Sequence, residues 1–344
     1  MKYNLADVCV RLSSGKGIPA KMIESSGRFP VYGGNGLRGY TEQSNFDGEC
    51  AIIGRQGAFC GNVRFFSGKA YMTEHAIVAV ANKDHNTRYL AYLLSTMSLG
   101  HLSAQSAQPG LSVKTLSKVT VDLPSKEEQD KAVSILSSLE DKIAENSKIN
   151  DNLQQQAQAI YTSMFINSAD PAWKQGHLSD LITVKYGKDH KKLSDGCYPV
   201  YGSGGIMRYV ERPLYDKESV LIPRKGTLNN VIYVNQPFWS VDTMFYTEMR
   251  LPNVAKYVFH FIKSKDLASM NAGSAVPSMT TDILNAIEVA IPSAQDLEKF
   301  ETLVSPLYRA VQKNNIQSAK LAELRDTLLP KLMSGELDVA NIQF

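Results

Sequence analysis

The sequence has no apolar run approaching the roughly 18–20 residues that a membrane span needs. Its first segment, MKYNLADVCVRL, has no basic stretch leading into an apolar one. Neither an embedded nor an exported chain fits, and a cytoplasmic one is expected. Cysteine is scarce: Cys9, Cys50, Cys60 and Cys197 stand in no CxxC or Cys/His ligand spacing. That excludes a disulfide scaffold, argues against a bound metal, and predicts free, buried thiols. Charge of one sign is also lacking. The net charge is +3 over 344 residues, with a pI near 8.5. Such a balance permits a polyanionic partner without demanding one, so a basic surface has to come from local clustering.

The signatures of catalysis are missing too. There is no GxxxxGK[ST], GxSxG or HExxH, and no Asn/Asp-Pro-Pro-aromatic box of an amino-methyltransferase. GGNG and GSGG read as glycine turns among strands; they do not open a helix after a parallel strand, as a dinucleotide cradle would. Glu74-His75 has Asp242-Thr243 at the matching place, so a catalytic His75 would leave one repeat inactive.

What is present is a repeat. FPVYGGNGLRGY (29–40) returns as YPVYGSGGIMRYV (198–210), and ECAIIGRQGAF (49–59) as ESVLIPRKGTL (218–228). Arg224 follows Arg55 by 169 residues. Beyond a one-residue gap the offset is 168: RYLAYLL matches KYVFHFI, SAQPGLS matches SAVPSMT, and VDLPSKEEQDK matches VAIPSAQDLEK. Within each copy the runs AIIGR, VRFF and HAIVAV, then SVLIPR, VIYV and DTMFYT, predict strands. RYLAYLLSTM and KYVFHFIKS predict short helices.

Each copy ends in a long helical pattern. Leu136, Leu139, Ile143, Asn146, Asn150, Leu153, Ala157, Ile160 and Met164 step by three and four. The same register returns in Val304, Leu307, Val311, Asn314, Ser318, Leu321, Arg325, Leu328 and Leu332. This is a coiled-coil seam softened by polar residues. Ser125 is the expected cap of the first helix and Gly335 the expected stop of the second. Pro306 and Pro330 are expected to interrupt or kink the second helix. Each helix either packs on its own domain or pairs with the other; equal length and shared register favour an antiparallel pair.

The PVYGGNG-x-RGY and AIIGRQGAFCGNV blocks, TEHAIV, and the pair LPSKEEQDKAVSIL and LRDTLLPKLMSGELDV resemble the specificity subunits of type I restriction–modification systems. The resemblance covers nearly the whole chain, including its two-copy layout. It implies an α+β chain of two repeated strand-rich α/β target recognition domains, at 1–125 and 172–292. Two long antiparallel coiled-coil-like helices, at 126–166 and 293–338, would separate them with pseudo-twofold symmetry. Each domain would read one half of a bipartite target on double-stranded DNA. The helices would set the gap and dock two modification (methyltransferase) subunits, through a set including Leu139, Ile143, Leu153, Ile160, Leu307, Val311, Leu321 and Leu328. Restriction (translocase and nuclease) subunits would complete the assembly. The resemblance implies a chain without catalysis or cofactor of its own, with S-adenosylmethionine, ATP and Mg on partner subunits. The competing readings are a self-standing methyltransferase or nuclease with fused recognition domains, and a scaffold without a DNA role. The seam, about 28 residues or roughly 42 Å long, would place the half-sites about 12 base pairs apart.

DNA reading needs donors on loops and cations for phosphates. The candidates are Arg38, Arg55, Gln56, Arg64, Gln105 and Gln108 in the first copy. In the second they are Lys188, Lys191 and Lys192 in the basic run KYGKDHKK, with Arg208, Arg224 and Lys225. A thinner counterpart of that basic run lies near Gly15, Lys16 and Lys21. Arg55 and Arg224 recur in both copies, which suits backbone positioning or a structural role. Gln105 and Gln108 face Gly273 and Val276 across the repeat, as base-reading loops for two different half-sites should differ.

Overall fold

In a computed structural model, residues 1–103, 110–270 and 278–339 are described. The chain forms two compact units, Met1–Asn146 with Asn315–Phe344, and Ser147–Asn314. The first unit contains β1 (Lys2–Asn4), α1 (Leu5–Val8), β2 (Cys9–Ser14), β3 (Phe29–Gly33), β4 (Gly36–Thr41), β5 (Phe46–Gly54), β6 (Val63–Met72) and β7 (Ala76–Ala81). Then come α2 (Thr87–Thr96), α3 (Val113–Leu116), β8 (Thr120–Asp122) and the long α4 (Lys126–Tyr161), which belongs to this unit up to Asn146 and to the second beyond it. The second unit contains β9 (Lys174–His177), α5 (Leu178–Leu181), β10 (Ile182–Tyr186), β11 (Tyr198–Gly202), β12 (Gly205–Val210), β13 (Ser219–Pro223), β14 (Ile232–Val234), β15 (Trp239–Ser240) and β16 (Met244–Met249). It continues through α6 (Ala255–Lys263), α7 (Thr281–Asn285) and β17 (Glu288–Ile291) to α8 (Ala294–Ser334), which passes into the first unit from Asn315 on.

Strand order repeats between the units. In the first, one sheet runs β2-β7-β5-β6-β3-β4, and β1 pairs with β8 apart from it. In the second, β10-β16-β13-β14 and β15-β11-β12 follow the same order in two pieces, and β9 pairs with β17. The parallel contact recurs as well: Val31 pairs with Tyr71, and Val200 with Trp239. The break has a sequence cause. β6 is one ten-residue strand, whereas its counterpart is cut by Asn235-Gln236-Pro237 into β14 and β15. Proline cannot donate to the ladder.

Residues 50–54 of β5 and all of β13 are buried on both faces, which explains their unbroken apolar runs. Successive side chains enter different cores, as the strand period requires. Ala51 and Ile53 pack with α2 and the long helices, while Cys50 and Ile52 pack toward Tyr32 and Phe66. Val220 and Ile222 divide from Leu221 in the same way. Cys50 is buried and its thiol is pushed up to about 12 by desolvation. The other thiols expected to be buried are not fully so: Cys9 and Cys60 are half-buried and Cys197 is exposed.

The long helices start at the expected caps. Ser125 Oγ accepts from the Glu128 amide, and the Glu128 carboxylate accepts from the Ser125 amide. Ser293 caps α8 through the Asp296 amide. Gly335, at φ 75°, ends α8 in the left-handed conformation. None of the eighteen seam residues is exposed. In the first unit, Leu136 shares a core with Leu328 and Leu332, while Asn146 donates to Gln317 Oε1 at 2.9 Å and to Ser318 Oγ at 3.1 Å. In the second, Asn314 donates to Asn150 at 2.9 Å, and Tyr161 packs on Phe300. Within each unit the two helix segments are therefore antiparallel, and the buried asparagines pair with polar partners that fix the register. The expected interruptions at Pro306 and Pro330 do not occur: α8 runs through both. Val304, Leu307 and Tyr308 beside Pro306, and Leu328, Leu329 and Leu332 beside Pro330, are packed into cores. That burial offsets the hydrogen bond each proline removes.

Candidate nucleic-acid interface

In the first unit the glycine turn between β3 and β4 gathers the predicted cations. The Arg38 side chain lies across Gly33, where a Cβ would stand 2.7 Å from its Cδ. The Arg64 guanidinium lies across Gly36, where a Cβ would stand 2.1 Å from Nη1. Gly36 has φ +100° as well, so only glycine serves here. Gly34 sits against the backbone of Arg55, Gln56 and His75. The structure therefore brings Arg38, Arg55, Gln56 and Arg64 to one end of the sheet. Arg38, Gln56 and Arg64 are exposed.

Arg55 and Arg224 are held identically. Each follows the central strand, and its amide donates across the sheet, to His75 O in one unit and Thr243 O in the other. Each guanidinium donates to a backbone carbonyl, Arg55 to Glu74 O at 3.3 Å and Arg224 to Asp242 O at 3.4 Å. Arg224 also stacks over Tyr186 at 5.2 Å. The next residues anchor the returning chain: Gln56 bridges to Gly110 and Lys225 to Ser278. Gln105 and Gln108 lie outside the described residues, as does most of the matching segment before Ser278.

The second unit places its basic loop beside the equivalent hairpin, β11–β12. Lys188, Lys191 and Lys192 are exposed. Gly187 before them meets the Val241 carbonyl, where a Cβ would stand 2.0 Å away, just as Gly15 before Lys16 meets Met72 O at 2.1 Å. The two basic loops thus leave their sheets at equivalent close approaches. Arg208 pins this loop to β12, with Nη2 donating to Asp195 at 2.8 Å and to Leu193 O at 2.9 Å.

Arg38 and Arg208 do not match across the repeat. The β3–β4 register pairs Tyr32 with Leu37 and Val31 with Gly39; β11–β12 pairs Tyr201 with Ile206 and Val200 with Arg208. Met207 therefore stands where Arg38 does, and its sulfur lies across Gly202 as Arg38 lies across Gly33. Arg64 pairs with Ile52, and Ile232 with Leu221, so Ile232 holds the place of Arg64. Met207 follows Arg38 by the 169 offset of the hairpin, and Ile232 follows Arg64 by 168, past the one-residue gap.

The seam residues Leu139, Ile143, Leu153, Ile160, Leu307, Val311, Leu321 and Leu328 are half-buried, and Ile160, Leu307 and Leu328 pack against the cores. The apolar side chains that the long helices expose are Ile149, Leu303, Ile316 and Leu324. Among the described residues, no group of three His, Cys, Asp or Glu is placed to hold a metal, and no helix is long and apolar enough to cross a membrane.

Fold and site together define a duplicated protein whose two α/β units each carry cations around a glycine-turn hairpin. The chain belongs to the type I restriction modification DNA specificity domain family, which matches residues 1–155 and again 172–321. It is 38% identical over 147 residues to the EcoprrI specificity subunit of Escherichia coli, a match spanning 41% of this chain and 37% of that protein. It is 23% identical to a putative type I specificity subunit of Mycoplasma pneumoniae, across 94% of this chain and 93% of that one. Its fold is similar to the crystal structure of a type I restriction–modification S subunit from M. genitalium. The TM-score is 0.68 at 19% identity, over 96% of this chain and 95% of the other. The family places the chain in DNA sequence recognition for a type I system.

Proposed function

We propose that each unit reads one half of a bipartite double-stranded DNA target, that the paired helices set the gap, and that catalysis belongs to partner subunits. The observation that carries this reading is the same cation-framed hairpin, built twice on one strand order and varied at Arg38/Met207. Phosphate contacts position a protein on the duplex and base contacts specify the sequence. Arg55 and Arg224, which keep one place in both units, suit the first task, as does the exposed Lys225, a cation where the first unit has Gln56; Arg38 and Arg64, which do not recur, suit the second. Modification subunits dock on the long helices and bring S-adenosylmethionine; restriction subunits bring ATP and Mg. The exposed Ile149, Leu303, Ile316 and Leu324 offer apolar positions for docking beside the half-buried seam residues.

Changing Lys225 to alanine is expected to weaken binding evenly across sequences and to reduce the salt slope by about one. Changing Arg38 to alanine is expected to relax one base position of one half-site, at a cost of about 1–3 kcal/mol. Titration of the assembled methyltransferase against target and scrambled duplexes at several salt concentrations separates the two. A uniform loss from the Arg38 change would remove its base-reading role.

A further inference from the structure

The two hairpins differ in chemistry at matching points. In the first unit Arg38 and Arg64 bring two guanidiniums to the glycine turn; in the second their places are held by Met207 and Ile232. The β11–β12 hairpin exposes apolar side chains: Ile206 is 49%, Met207 61% and Tyr209 50% accessible. Such exposure on a hairpin tip calls for a partner surface.

What surrounds the tip identifies that surface. Asn230 Nδ2 donates to Ser203 O at 2.6 Å, fixing the turn. On that side Gly226, next to the exposed Lys225, approaches Ser203, with a Cβ position 3.2 Å from its Oγ. On the other side the Arg208 contacts hold the loop bearing Lys188, Lys191 and Lys192 against β12. An apolar ribbon between two cationic segments fits a polyanion with an apolar feature deep in a groove. The major groove of DNA admits a two-stranded β-ribbon and carries one such feature, the thymine 5-methyl group.

We propose that Ile206 and Met207 read a thymine methyl in the half-site bound by the second unit, where the first unit uses Arg38 as a hydrogen-bond donor. This rests on the reading of each unit as a half-site reader. Met207 is the specificity-determining position, because its side chain lies across Gly202 as Arg38 lies across Gly33 in the first unit, so the place already accepts an arginine on the same turn.

The test uses the full chain assembled with its modification subunits, and duplexes bearing the target found by methylome sequencing. Thymines of one half-site at a time are replaced by deoxyuridine, which removes only the methyl. Uracil in one half-site is expected to weaken binding about fourfold per methyl contacted. A variant with Ile206→Ser and Met207→Ser should bind thymine and uracil duplexes alike in that half-site, and Met207→Arg should shift the preferred base there. Sensitivity in neither half-site, or sensitivity that survives in the double variant, overturns the inference while target binding keeps the parent reading. A half-site without thymine overturns it too. Binding indifferent to the whole target would overturn the parent reading instead. Since the exchanged residues are exposed, an unchanged melting curve shows that the variants fold.

Discussion

Replacing Lys256 by alanine lowers the stability of the second unit by about 3 kcal/mol. The Lys256 side chain is 6% exposed, with its ammonium 3.1 Å from Glu218 and 2.7 Å from Glu301. Tyr233 also gives its hydroxyl to Glu218, and Ser305 gives its own to Glu301. The rings of Tyr233 and Tyr308 lie 5.2 and 5.6 Å from the ammonium. Removing the cation leaves two carboxylates with no counter-charge between them. Both retain partial access to water, which keeps the loss at the low end for a broken buried pair. The two tryptophans of the chain, Trp173 and Trp239, lie in this unit and are nearly buried. Urea unfolding followed by their fluorescence therefore reports on it selectively. A loss below about 1 kcal/mol, the range of a surface pair, would show that the network is not a structural tie. Arg88 makes the equivalent tie in the first unit, 2.7 Å from Glu140 on α4.

The second unit also loses stability in acid through His260. This imidazole is 2% exposed. Its Nδ1–H donates to Gln158 Oε1 at 2.8 Å, and Nε2 accepts from the Tyr308 hydroxyl at 2.9 Å. Tyr161 stacks on it and Phe259 and Phe300 meet its edges. Desolvation, aided by Lys263, lowers its pKa from 6.5 to about 4. Between those values the unfolded chain binds the proton and the folded chain does not. Stability from this site is complete above pH 6.5 and falls as pH drops toward 4, by about 3 kcal/mol in all. A His260→Gln variant lacks the step, so the stability difference between wild type and variant should shrink across that window. Parallel curves from pH 7 to pH 4 would contradict the assignment.

The architecture was legible wherever a residue's own period carried it. The strand runs around Ile52 and Leu221, the short helices at Leu90 and Val258, and the seam from Leu136 to Met164 follow from spacing alone. The repeat supplied the common strand order. The misses came from long-range packing and from register. Pro306 and Pro330 read as breaks because burial of the neighbouring leucines and valine is invisible in a local pattern. Pro237, which does cut a strand, lies just past VIYV and drew no reading of its own. Arg38 and Arg208 both read as hairpin cations; only the pairing registers show that Met207 replaces Arg38 and that Arg208 serves its own loop. Lys256 and its carboxylates are 38 and 45 residues apart in sequence, so no motif joins them. Gln105 and Gln108, chosen because the repeats diverge there, lie outside the described residues.

The most direct measurement of the central claim is methylome sequencing of a host carrying this chain with its modification subunits. Hosts carrying Met207→Arg and carrying no specificity chain are sequenced beside it. The expected motif is two short defined blocks around an unspecified gap, absent without the chain, with Met207→Arg altering one block and leaving the other block and the gap unchanged. A single continuous motif, or methylation that persists without the chain, would contradict the account.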